Sequence, residues 1–390
     1  MPDPNPLAEQ QRKPAKPRLL FVDIVRGIAV LAMIEAHVSN ATILNTIRRT
    51  PQFHHLDLFN GFVSACFIFI SGFSICLVVE QRLELFLRWK KPLWMQIRRL
   101  LFILVLGYWL HTPVWSLRRL LRMDERLALS LFRSDVLMAI TLSLLFCLCV
   151  AMTVRRRDAI AITLGALALV VVFWTPFLYD TDPATYVSPV IGTYLTAHQN
   201  NLFPLFPSSA YAFAGYFLCW VYLRLRSRGK DLLLFSILLP SGLIMLVGAL
   251  ALFYAPLSYH VYADPSKSSP RHFMMKLGAV LLTVSLVWFY ERLAKPQRSY
   301  LNMVGQESLF VYALHLMIVY GCVFTPHSFA RDIGNVLTYL PSFTLSALLI
   351  AAMCPAGICW HVLKRDYPRA AKGLFYGAVA FWLTGLIANP

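Results

Sequence analysis

Charge is what this chain has least of. Only 14% of its 390 residues are charged, against about a quarter in a soluble domain, which excludes a water-soluble globular fold for most of its length. Acids are scarcer still, 19 against 36 basic residues, leaving a net charge of +17. The opening MPDPNPLAEQQRKPAKP lacks the apolar core of a signal peptide; residues 1–17 are expected to form a disordered cytoplasmic tail. The eight cysteines (66, 76, 147, 149, 219, 322, 354 and 359) all fall in apolar runs, with no pair in an outer loop. A disulfide frame is therefore not expected, and these thiols read as small packing groups. Cys147-Leu-Cys149 lacks metal-ligand spacing, so no metal is expected. No long linker, low-complexity block or internal repeat interrupts the chain, so residues 18–390 read as a single transmembrane domain.

What is present is hydrophobic. Apolar and aromatic residues make up 58% of the chain, and the mean hydropathy is +0.60. Apolar runs recur, each long enough for a bilayer core about 30 Å thick, which takes roughly 20 helical residues. They predict an all-α polytopic membrane protein with ten or eleven spans, near 18–40, 58–80, 93–112, 135–154, 159–178, 204–225, 232–254, 273–292, 301–323, 338–362 and 373–388.

The basic residues gather at alternate span ends. Arg12 to Arg18, Arg82 to Arg99, Arg155 to Arg157, Arg224 to Lys230, Arg292 to Arg298 and Lys364 to Lys372 fall on one side. The bias of lysine and arginine toward the cytoplasm puts the N-terminus inside and, with an odd number of spans, the C-terminus outside. It also accounts for the net charge without nucleic acid as a partner. Five of the outer basic residues lie in one amphipathic stretch, Arg118 to Arg133, which reads as a surface helix or a lid.

Ionisable groups inside a span usually face a cavity or a partner. The segment Asp23-Ile-Val-Arg26 to Glu35-Ala-His37 carries several. Arg26 and His37 are eleven residues apart, about three turns, so they share a face and lie about 16 Å apart along it. Asp23 stands where it can pair with Arg26. The plainer reading has Arg26 snorkelling to the interface while Glu35 and His37 sit wet near the other boundary. In the ninth expected span Ser308, Tyr312 and His315 form a second polar stripe, which also fits an interhelical hydrogen-bonded seam. His54, His55, Asp57 and Asn60 crowd the outer mouth of the second span, where imidazoles beside a carboxylate suit general-base chemistry or merely a wet loop. Arg98 and Arg99 are either topology anchors or forked donors for a phosphate-rich cytosolic ligand. Most of the ten histidines and the run Gln199-Asn200-Asn201 fall in outer segments, a mixture suited to a polar, hydroxyl-bearing ligand.

Four quoted segments carry a family resemblance. RLLFVDIVRGIAVLAMIEAH, DLFNGFVSACFIFISGFSI, RSDVLMAITLSL and LNMVGQESLFVYALHLMIVYG resemble, in order, motifs of the heparan-α-glucosaminide N-acetyltransferase-like proteins. Those proteins belong with the wider transmembrane acyltransferase-3 superfamily, whose basic residue, ten intervening residues and histidine are matched by Arg26 and His37. The resemblance implies a bacterial cytoplasmic-membrane enzyme moving an acyl group, typically acetyl, from cytosolic acetyl-CoA to a hydroxyl or amine of an extracytoplasmic glycan or glycolipid. It implies that Arg26, with Asp23, Arg98 and Arg99, faces the coenzyme and that His37 is the base or acyl relay. It also implies a catalytic histidine in the outer first loop, so His54 and His55 are rivals to His37; that loop differs in length, and Phe59 replaces the usual tryptophan before the asparagine-glycine pair. His315 joins the candidate catalytic groups. Asp57 or Glu35 would orient the imidazole, and Glu35, Asn60, Ser308 and Tyr312 would contact the acceptor. The rival reading from another class is a proton-coupled or lipid-linked sugar transporter or flippase. Against it, no pair of glycine- or proline-broken spans stands in matching halves, as inverted-repeat carriers often show.

Overall fold

The computed structural model describes residues 19–112, 116–124, 130–197, 201–254, 268–295, 300–322 and 327–389. The expected tail at 1–17 lies outside them, as do His198, Gln199, Asn200, His260 and part of the Arg118 to Arg133 stretch.

The described residues are helical, with no named strand. The long helices are α1 (Leu20–Thr42), α2 (Pro51–Leu87), α3 (Lys91–Leu110), α4 (Val136–Val154), α5 (Arg157–Thr181), α6 (Leu205–Arg226), α7 (Asp231–Tyr254) and α8 (Pro270–Ala294). Then come α9 (Tyr300–Gln306), α10 (Ser308–Tyr320), α11 (Tyr339–Asp366) and α12 (Pro368–Ala388). Eight of the helices are long and apolar enough to cross a membrane, or nine if the bent pair α9–α10 counts as one. The protein is thus an integral multi-pass membrane protein. The count falls short of eleven because α1 and α6, where spans one and six are expected, are not among the eight. In α1 the reason is chemical, since Asp23, Arg26, Glu35 and His37 dilute its apolar run.

Local chemistry sets several ends. Thr50 caps α2 by accepting from the Phe53 amide, with Pro51 in the first turn, where a missing N–H costs nothing. That start places His54 and His55 inside the first two turns of α2 and not in a preceding loop. Arg155, at φ 64°, ends α4 in the left-handed region, and α5 begins at Arg157, so the two helices return on each other through a minimal turn.

Packing is close where α1 meets α9. A Cβ on Gly305 would run into the Asp23 carbonyl oxygen, and one on Gly27 would stand 2.8 Å from Leu301 Cδ1. Only glycine lets these backbones touch. Immediately afterwards the chain bends by 80° between α9 and α10. The expected ninth span is therefore a broken helix, with Glu307 at the corner. The α1 end is tied down by the bridge between Ile43 and Leu337 and by Leu337 donating to the Thr42 carbonyl at 2.9 Å. Apolar side chains exposed on α5 and α7, such as Phe173, Phe177, Ile237 and Ile244, form a lipid-facing surface rather than a failed core. Helix α12 is peripheral: Ala371 is its one buried residue.

Candidate functional site

Helix α1 organises two polar zones. Near its start the Arg26 guanidinium donates to Ser74 Oγ at 2.5 Å and to Asp23 Oδ1 at 3.5 Å. Asp23 is buried, and its other oxygen accepts from Gln306 Nε2 at 3.1 Å; the same amide reaches Asn302 Oδ1 at 3.2 Å. Arg26 therefore does not simply snorkel: α1, α2 and α9 close around it. The expected Asp23–Arg26 pairing is present. Ser74, Asn302 and Gln306 are site residues that sequence reading missed, because a single polar side chain in an apolar run has no periodic signal.

At the corner between α9 and α10 lies a second charged knot. Glu307, 5% exposed, accepts from Lys364 Nζ at 2.5 Å and pairs with His361 Nδ1 at 3.0 Å. Both partners come from the last turns of α11. Arg98 and Arg99 are exposed on α3 at this same end of the bundle, in reach of an aqueous ligand.

The other zone surrounds His37. A cavity of about 220 Å³ is lined by His37, Asn40, Asp57, Asn60, Ser64 and Asp135, together with apolar side chains that include Phe67 and Phe203. Helices α1 and α2 supply most of these groups, and the segment entering α4 supplies Asp135. The side-chain oxygen of Asn60 is buried with no hydrogen-bond partner, an acceptor available to a ligand hydroxyl or amine. Lys276 of α8 lies alongside: its Cε and Nζ stand 3.0 Å from the place a Cβ on Gly61 would occupy.

Behind His37 stands α10. His37 Nδ1 meets the Tyr320 hydroxyl at 3.2 Å, and that hydroxyl also donates to the His37 carbonyl at 3.4 Å. The His37 and His315 rings lie 5.3 Å apart between centroids. His315 is fully buried, with Nδ1 at 2.8 Å from the Val311 carbonyl. Tyr312, one turn below, donates to Asp135 Oδ2 at 2.5 Å.

The structure thus gathers His37, Asp57 and Asn60 at one cavity, with His315 and Tyr312 directly behind. It does not bring His54 and His55 there: both are exposed on α2, neither lines the cavity, and their own rings are 6.5 Å apart. Glu35 accepts from Ser39 Oγ at 2.6 Å and is also absent from the lining. Ser308 begins α10 at the bend, four residues from Tyr312, so the expected stripe is real but starts at a corner. Asp135 was missed although it sits inside the quoted RSDVLMAITLSL; an acid just ahead of an apolar run reads as a boundary residue. Among the described residues no group of three or more His, Cys, Asp or Glu is placed to hold a metal.

Residues 19–355 match the family model of an acyltransferase domain, acyltransferase-3. No curated protein matches the chain. The matched region stops short of His361 and Lys364.

Proposed function

Since the chain belongs to the acyltransferase-3 family, we propose that it transfers an acetyl group from cytosolic acetyl-CoA to a hydroxyl or amine of a glycan or glycolipid on the far side of the membrane. The observation that carries this reading is α1 itself. One helix sets a guanidinium held by Asp23 and Ser74 about 16 Å below an imidazole at the edge of a polar cavity. A long, thin donor with phosphates at one end and a thioester at the other needs that separation of a cation from a base.

With the N-terminus inside, the Arg26 end is cytosolic. Arg26, backed by the exposed Arg98 and Arg99, would hold donor phosphates, for which the guanidinium fork is well shaped. The acceptor would occupy the His37 cavity, where Asn60, Asp57 and Asn40 offer polar contacts. With the Tyr320 hydroxyl donating to the His37 carbonyl, it would accept from Nδ1–H, and Nε2 would be the basic nitrogen. That nitrogen would take the acceptor's proton as its oxygen or nitrogen attacks the thioester carbon. The C–S bond then breaks, and the proton ends on the coenzyme thiolate. His37 is favoured over His54 and His55 because it lines the cavity and they do not.

The finer placement beside the heparan-α-glucosaminide N-acetyltransferase-like proteins rests on the resemblance of the four quoted segments. It predicts that amine acceptors compete well with hydroxyl acceptors.

One observation favours the carrier reading. The α9–α10 break resembles the discontinuous helices that transporters place at their substrate sites, although among the described residues only this one bent pair occurs. The deciding experiment uses purified, reconstituted protein with radiolabelled acetyl-CoA and a membrane glycan extract, comparing wild type with His37→Ala and His55→Ala. Label on the glycan that is lost only with His37→Ala supports the proposal. Loss only with His55→Ala moves the base to α2. A folded protein that neither binds acetyl-CoA nor transfers label overturns the enzyme reading in favour of the carrier.

A further inference from the structure

Asp135 poses an electrostatic problem. It is 3% exposed and lines the same cavity as His37. A carboxylate removed from water needs a compensating partner. The other two deeply buried acids near the site have permanent cations, Arg26 for Asp23 and Lys364 for Glu307. Asp135 has none among the described residues. Its one ion-pairing neighbour is His111, whose Nδ1 is 3.9 Å away and which is charged only when protonated. Its strong contact is the neutral phenol of Tyr312, at 2.5 Å.

Across the same junction stands an imidazole with a vacant lone pair. The Val311 carbonyl can only accept, so His315 Nδ1 carries the ring proton, and Nε2 is left as a base. That Nε2 is buried without a hydrogen-bond partner. Its ring lies 5.3 Å from that of His37 and 5.8 Å, edge to face, from that of Tyr312. One phenol thus touches His315 with its ring and Asp135 with its hydroxyl. A carboxylate short of a cation and an imidazole short of a proton meet beside the proposed base.

We propose that His315 and Asp135 work with His37 as a unit: His37 takes the proton removed from the acceptor, His315 Nε2 is the vacant base behind it to which that proton passes, and Asp135 is the counter-ion for the charge they then carry. This rests on the acyl-transfer reading and on His37 as base. The acceptor's lone pair forms the new bond to the thioester carbon while its proton passes to His37 Nε2. The proton and its charge pass on to His315 Nε2 under the field of Asp135. The C–S bond breaks with its electron pair on sulfur, and the proton returns to that sulfur, so no charge remains. The other titratable or charged groups facing the unit or its cavity are Tyr312 and Tyr320 on α10, His111 after α3, Asp57 on α2, Lys276 on α8 and Arg48 between α1 and α2.

The test uses full-length reconstituted protein, acetyl-CoA and a membrane glycan extract, and reads kcat, the KM for acetyl-CoA and the pH profile of kcat. The variants are Asp135→Asn, which keeps an acceptor for Tyr312, and His315→Asn, which keeps an amide donor for the Val311 carbonyl. Losing the counter-ion weakens the base. Asp135→Asn should therefore lower kcat about tenfold or more, a share of the 10²–10⁴-fold that acid–base catalysis supplies. It should leave the KM within about twofold and move the acid limb of the profile to lower pH. His315→Asn should do the same, and the double variant should be little worse than the worse single, since the groups act together.

A lower kcat with an unmoved acid limb would make both residues structural and overturn the inference. Multiplying effects in the double variant, or wild-type rates in both singles, would do so too. Should the variants not fold, histidine NMR of the wild type decides: ring signals of both His37 and His315 moving together through the acid limb support the inference, and movement of His37 alone refutes it. Wild-type transfer that needs His37 but ignores Asp135 would sink this inference alone, whereas no transfer by wild type would sink the reading beneath it.

Discussion

Replacing Arg26 by methionine keeps length and apolar volume but removes the guanidinium. Asp23, with a side chain 8% exposed, then keeps the Gln306 amide at 3.1 Å and loses the Arg26 guanidinium. Breaking a buried ion pair by deleting one partner costs about 3–5 kcal/mol, because the other charge is stranded. The Arg26 side chain is itself 24% exposed, so the low end applies, about 3 kcal/mol. Neutralising both partners, as Asp23→Asn with Arg26→Met, removes both charges of the pair and should restore stability to within about 1 kcal/mol of wild type. Acetyl-CoA binding should behave differently. It should fall at least tenfold in the single and stay low in the double variant, because the ligand-facing cation is absent from both. Thermal unfolding in detergent gives the first quantity and calorimetric titration with acetyl-CoA the second. A double variant that binds acetyl-CoA like wild type would refute the assignment of Arg26 to the donor. A single variant as stable as wild type would refute the burial argument itself.

Three further outcomes follow from the same geometry. Gly305→Leu should prevent the α1–α9 contact, since even a Cβ there meets the Asp23 carbonyl oxygen; overpacking of this kind costs about 1–3 kcal/mol or more, read as a lower unfolding temperature with loss of acetyl-CoA binding. Glu307→Gln should cost about 1 kcal/mol, since Lys364 is 45% exposed and solvent already screens part of that attraction; a drop of several times that, in thermal unfolding, would mean the charge is indispensable to the helix corner. His54→Ala and His55→Ala, both on the exposed start of α2, should leave the rate of label transfer within about twofold of wild type, whereas His37→Ala should lower it about 10²–10⁴-fold.

Much of this was legible in the residues alone. The Arg26–His37 spacing places a cation and a base on one helix face because 3.6 residues per turn is a property of the backbone, not of the fold. The Asp23–Arg26 contact and the one-face arrangement of Tyr312 and His315 follow for the same reason. The span count was less secure. Helix α1 is apolar on average but carries three charged side chains, Asp23, Arg26 and Glu35, although it lies at the centre of the packing, with Val25, Val30, Ile34 and Val38 fully buried.

What the sequence determined by itself, then, is the class, the helical elements and the side chains that share a face of any one helix. Each of these depends on neighbours within a few turns. The tertiary structure alone decided which faces meet. It brought Asp135 to Tyr312, 177 residues apart, set His315 behind His37, left His54 and His55 outside the cavity, and bent the ninth span at a glutamate held by α11. Contacts between distant helices depend on how small residues such as Gly27 and Gly305 let backbones approach, and no local pattern in the chain records that choice.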